Sequence, residues 1–202
     1  AVRAGDDLAA QAEEAAARAA RNAAALVPSG SVVMTCSLSS AVVETFATAR
    51  DKGITVLAAE SITGGKAIGA IMVRELEACG VVVEMIADGA LDARAREAHL
   101  ALVGADSVLA DGTLVNGVPT RALALAARKT GRPLYCVCET AKFSLADYLG
   151  LKQDVEQGFE RVPPDLIARY VTERGVVSPA DAPAMLPGLE RRAAMMRTLL
   201  ER

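Results

Sequence analysis

The chain has 202 residues, 52% of them hydrophobic, enough for one full core with an appendage but a tight fit for two ordinary domains. A net charge of −3, three Phe, three Tyr and no Trp leave neither a basic stripe nor stacking platforms, so direct nucleic-acid binding is not expected. No apolar run reaches bilayer length and the first residues lack the order of a signal peptide, so the expected location is the cytoplasm, with no membrane contact.

In chain order, Asp6 to Leu26 is Ala-rich with interspersed Glu and Arg, which predicts a helix capped by Asp6 or Asp7 and ended by Pro28-Ser29-Gly30. Ala1 in place of Met implies processing or a fragment boundary. Short β-branched runs then alternate with helical stretches, the pattern of βαβ units. Five strands are expected, at Ser31 to Thr35, Ile54 to Ala58, Val81 to Ile86, Leu100 to Val103 and Leu134 to Cys138. The helices between them are expected at Ser39 to Lys52, Gly65 to Cys79, Leu91 to Glu97 and Thr120 to Thr130, with a small hairpin at Asp111 to Val115. Right-handed crossovers place these helices on both faces of a mainly parallel sheet, an α/β fold. Beyond Leu149 the order weakens, and Gly188 to Arg202 reads as a terminal amphipathic helix with Leu189, Met195, Met196, Leu199 and Leu200 as its stripe, fit for a core or subunit interface. The expected division is an amino-terminal helix over 1–27, the α/β domain over 28–180 and a carboxy-terminal helix over 181–202.

The chemistry should gather at the carboxyl ends of the strands. Thr35-Cys36-Ser37-Leu38-Ser39 opens a helix, where hydroxyls and free N–H groups suit a phosphate or simply cap the helix. Glu60-Ser61-Ile62-Thr63-Gly64-Gly65-Lys66 looks like a phosphate loop but has Glu60 where Gly is required and Ala67 where Ser or Thr is required. Asp106 ends a buried strand, either as a functional acid or as a turn former. Glu139-Thr140-Ala141-Lys142-Phe143 follows the last strand. Together these loops describe a polar, phosphate-tolerant cleft. His99, the single histidine, sits just before a buried strand and reads as packing or surface. Cys36, Cys79, Cys136 and Cys138 have neither C-x-x-C spacing nor a histidine cluster, so no metal, disulfide or cofactor is expected of them.

The combination Val103-Gly104-Ala105-Asp106, Gly112, Asn116, Thr120 and Glu139 to Phe143, with Thr35, Ser39, Glu60-Ser61, Gly65, Ile86, Asp88, Ala90 and Val162-Pro163-Pro164 through Gly175, resembles the eukaryotic initiation factor 2B-like family. That family includes regulatory subunits of the factor, ribose-1,5-bisphosphate isomerase and methylthioribose-1-phosphate isomerase. The resemblance implies a Rossmann-like domain preceded by a helical segment, of which this chain keeps one helix. It implies a homodimer that binds a phosphorylated small molecule, a sugar phosphate or nucleotide, in a regulatory or divergent role, through Ser37, Ser39, Glu60, Asn116 and Lys142. It also implies an alternative, a sugar-1-phosphate aldose-ketose isomerase with Asp106 and Cys36 or Ser37 as the acid/base pair, and a further one, a structural subunit with a vestigial cleft. Three positions depart from the isomerase pattern: Ser37 stands at the catalytic cysteine, Ile62 at an arginine and Gly117 at a phosphate-contacting lysine.

Overall fold

The structure, a computed structural model, describes residues 2–144, 147, 150–151, 154–185 and 194–198. Helix α1 (Val2–Leu26) leads into β1 (Val32–Thr35), α2 (Ser40–Ala49) and β2 (Thr55–Ala59). A two-strand ribbon, β3 (Ile62–Thr63) and β4 (Lys66–Ala67), precedes α3 (Gly69–Ala78) and β5 (Val82–Ile86). Then come α4 (Leu91–Arg94), β6 (Leu100–Val103), β7 (Ser107–Val108), β8 (Leu114–Gly117), α5 (Thr120–Lys129) and β9 (Leu134–Val137). Strands β10 (Phe159–Val162), β11 (Arg169–Thr172) and β12 (Gly175–Val177) follow.

The main sheet has seven strands in the order β12-β11-β9-β6-β1-β2-β5, parallel except for the β11/β12 pair. The chain builds outward from β1 to β2 and β5, then returns to lay β6 on the other side of β1. That reversal opens a crevice at the carboxyl ends of β1 and β6, where open α/β sheets hold ligands.

Alternation along the strands feeds two cores. Val33, Val56, Leu100, Leu102 and Val171 face α1, α2 and α3, whereas Met34, Leu57, Val103, Leu134 and Tyr170 face α4 and α5. Burying one such large side chain contributes about 1.5–3 kcal/mol. The predicted five strands are all present, each shifted by no more than a residue or two, and β11 and β12 join them from the region where order was expected to weaken.

Several expectations change. Asp6 and Asp7 do not cap α1, which already begins at Val2; its other end is closed instead by Lys52, whose ammonium donates to the Ala24 and Val27 carbonyls at 2.8 and 2.7 Å. Helix α3 begins at Gly69 rather than Gly65, because Gly64 and Gly65 take φ of +56° and +75° and turn the β3/β4 ribbon. Gly69 cannot carry a side chain, since a Cβ there would overlap the Ala59 carbonyl. The expected hairpin is wider than Asp111 to Val115, pairing β7 with β8, and β10 extends it to a three-stranded sheet. His99 does have a partner, accepting the Val32 N–H at Nδ1. Of the terminal helix, residues 194–198 are helical with Met195 exposed, while Leu189, Leu199 and Leu200 lie outside the described residues. Among the described residues, no helix is long and apolar enough to cross a membrane and no cluster of metal-ligating side chains occurs.

Candidate ligand-binding site

At the β1/β6 crevice lies a cavity of about 190 Å³ whose lining includes Ser39, Ser40, Asp106, Asn116, Glu139 and Lys142. A groove of about 590 Å³ lies elsewhere, between α4 and α5, but its cations are already partnered, Lys129 by Asp92 and Arg128 by Asp165. The smaller cavity is the candidate because separate strand-end loops converge on it.

Each wall has a local cause. Ser39, at φ −148°, accepts the Val42 N–H and caps α2, so the helix begins at the cavity with its first amides and positive dipole end. Its hydroxyl lies against Gly104, where a Cβ would overlap it. Asp106 donates its N–H to the Val115 carbonyl, which opens the β7/β8 hairpin and leaves the carboxylate exposed at the rim. Asn116 comes from β8 and is buried. Lys142 ends a 3₁₀ turn, Thr140–Lys142, and the next residue, Phe143, bridges to Val108, two residues past Asp106. That bridge is what sets the lysine beside the acid. Desolvation by the cavity walls pushes the Asp106 carboxyl above its ordinary value, against the pull of Lys142.

Cys36 is elsewhere. Its thiol is buried under the β1 end and meets the Thr120 hydroxyl at 3.3 Å. That hydroxyl gives its one proton to the Gly117 carbonyl at 2.6 Å and accepts from Asn116 at 2.8 Å, so the thiol is the donor and must stay protonated. Burial pushes it up to about 12.

Ser37 and Glu60 also lie outside the cavity lining. Ser37 adopts φ +62° and turns its hydroxyl onto Gly117, where a Cβ would overlap it. Its N–H donates to the Ser61 hydroxyl at 2.7 Å. Ser61, itself at φ +54°, donates its N–H to Asp88, as does Ile62. Three strand ends are thereby tied together. Glu60 is fixed by its backbone, its N–H on the Ile86 carbonyl and its carbonyl on the Gly69 N–H.

The cavity thus unites Ser39, Asp106, Asn116 and Lys142 and omits Cys36, Ser37 and Glu60. Asn116 serves twice, since its amide also braces Thr120. Thr120, Ser61 and Asp88, named above among the carriers of the resemblance, act as supporting residues, through contacts such as Cys36 with Thr120, Ser37 with Ser61 and Ser61 with Asp88 that join distant parts of the chain. Electrostatically, one lysine and a helix start face two acids, Asp106 and Glu139, an arrangement that suits one anionic group with hydroxyls beside it.

The profile of the Initiation factor 2 subunit family matches residues 1–158. A translation initiation factor eIF-2B subunit 2-like protein of Pyrococcus horikoshii is 34% identical over 181 residues, 83% of this chain and 65% of that protein. A ribose 1,5-bisphosphate isomerase of Pyrococcus furiosus is 27% identical over 191 residues, 83% of this chain and 59% of the isomerase. The chain therefore spans less than two thirds of the length of these relatives. Among solved structures, that of the Pyrococcus horikoshii translation initiation factor eIF-2B superposes with a TM-score of 0.77 at 32% identity, covering 86% of this chain and 67% of that one.

Proposed function

Because the chain belongs to the Initiation factor 2 subunit family, we propose that it binds a small phosphorylated metabolite, a sugar phosphate or nucleotide, in the β1/β6 cavity. One observation carries this reading: the start of α2, Ser39, Asn116 and Lys142 converge on a single space at the sheet's switch point. The phosphoryl group would take the α2 amides and Lys142, and Asp106 would accept sugar hydroxyls. Asn116 would orient the ligand from below.

The test is thermal unfolding with ribose 5-phosphate, AMP and inorganic phosphate. A ligand at 100 times its Kd adds about 2.7 kcal/mol of stability. Absence of any shift with all of them overturns the reading.

A second reading, aldose-ketose isomerisation, draws support from the similarity to ribose 1,5-bisphosphate isomerases and from the raised proton affinity of Asp106. It ranks below binding because the proposed partner acids, the Cys36 thiol and the Ser37 hydroxyl, are engaged with Thr120 and Gly117 outside the cavity. The same proposal carries a homodimer, as the resemblance implies, in the cytoplasm, as the sequence leads one to expect. Light scattering reads the mass, and a monomer at working concentration removes the dimer.

A further inference from the structure

We infer that Glu173, which lies outside the cavity, is the positioning residue for Lys142, an inference that rests on the binding reading above. Lys142 is the single cation among the described residues lining the cavity, and it is carried on the one-turn 3₁₀ segment Thr140–Lys142. A turn that short has little hydrogen bonding of its own: Lys142 N–H reaches the Glu139 carbonyl and Phe143 N–H the Thr140 carbonyl. What fixes its first residue comes from across the sheet. Glu173, the residue after β11, accepts the Thr140 N–H at 2.9 Å with one carboxylate oxygen and the Thr140 hydroxyl with the other.

The carboxylate is held for that task. Its side chain is 8% exposed, yet the two Thr140 donors and neighbouring Arg174, at 3.4 Å, hold it below the usual range against the opposing effect of burial. It therefore remains a charged, two-oxygen acceptor, and the turn start is clamped at two atoms. The other end of the turn is pinned through Phe143 to Val108 and through the Ser144 N–H to the Val108 carbonyl. With both ends fixed, Lys142 leaves the turn at a set place beside Asp106. Without Glu173 the turn keeps one anchor, and the lysine samples positions from which it reaches an anion less often. Glu173 thereby tunes affinity for the phosphoryl group from a strand that does not touch the ligand.

The experiment is a double-mutant cycle read by calorimetric titration with ribose 5-phosphate, using Glu173→Gln, Glu173→Ala, Lys142→Met and the Glu173→Ala/Lys142→Met pair. Lys142→Met should weaken binding by one to two orders of magnitude, roughly the worth of a charge-assisted hydrogen bond. Glu173→Ala should weaken it about tenfold, and Glu173→Gln, which keeps one acceptor, by less. On the Lys142→Met background Glu173→Ala should cost nothing further. An unchanged affinity in Glu173→Ala, or an equal loss on both backgrounds, overturns the inference.

A second readout needs no ligand. In ¹³C-methylated protein, the Lys142 resonance, assigned by its loss in Lys142→Arg, should shift in Glu173→Ala and much less in Glu173→Gln. A wild-type protein that binds none of ribose 5-phosphate, AMP and inorganic phosphate but shows that shift overturns the binding reading and keeps the clamp. An unmoved resonance overturns the clamp.

Discussion

Residues that follow one strand, β1, enter two opposite environments. Cys36 passes into a buried interior, its thiol donating to Thr120 and held up to about 12, while Ser39, three residues on, opens a helix at an open polar cavity facing Asp106 and Lys142. The interior spends its polar groups on one another, thiol to hydroxyl to carbonyl. The cavity leaves its polar groups turned outward. Cys36 and Asp106 follow different strands that end at the same sheet edge, yet the thiol lies in the interior and the carboxylate at the cavity.

Four changes test that contrast. The largest effect should come from Cys36→Asp, which places an acid in the interior: an unpaired buried charge costs about 3–5 kcal/mol. Chemical denaturation reads it, and a loss below about 1 kcal/mol would mean that the Cys36 environment is open to water. Next, Gly117→Ala forces a Cβ onto the Ser37 hydroxyl, and such overpacking costs about 1–3 kcal/mol. Combining it with Ser37→Gly should return much of that loss, and strict additivity would show that the two positions do not touch.

A smaller effect is expected for Asp106→Asn. The folded state raises this carboxyl's pKa, so its ionised form costs stability once pH exceeds the unfolded value, and that cost persists at neutral pH. The amide should thus slightly raise the melting temperature at pH 7, with the difference vanishing as pH falls below the unfolded carboxylate range, while binding of ribose 5-phosphate is weakened. A drop in melting temperature at pH 7 would contradict the desolvated rim. The smallest change is a rate: iodoacetamide at pH 8 should label Cys79, the one thiol with partial exposure, well before Cys36, Cys136 or Cys138. Early labelling of Cys36 would erase the contrast.

The strands and most helices were legible in the sequence because a parallel sheet buried on both faces leaves continuous apolar runs such as Leu100 to Val103. Strands β10 to β12 were not; in β10, two adjacent charged residues, Glu160 and Arg161, interrupt the apolar pattern, and its meaning comes only from pairing with β8. In the cavity, Ser39, Asp106, Asn116 and Lys142 were legible as strand-end residues. The exclusion of Cys36 and Ser37 was not, because it follows from φ +62° at a serine, a conformation uncommon outside glycine and asparagine. Glu173 was legible only as part of the stretch that carries the family resemblance, and its contact was not, as its partner is 33 residues away.

The docking of α1 bears on how the chain folds. Asn22 donates to the Thr172 carbonyl, 150 residues later, and Ala19, Ala23 and Val27 pack into the core face that includes Val171. Helix α1, synthesised before β11, thus completes its contacts only after β11 exists, a closure of high contact order. An alanine-rich composition fits that wait, because such a helix has high intrinsic propensity and exposes few large apolar groups while its partner is being made.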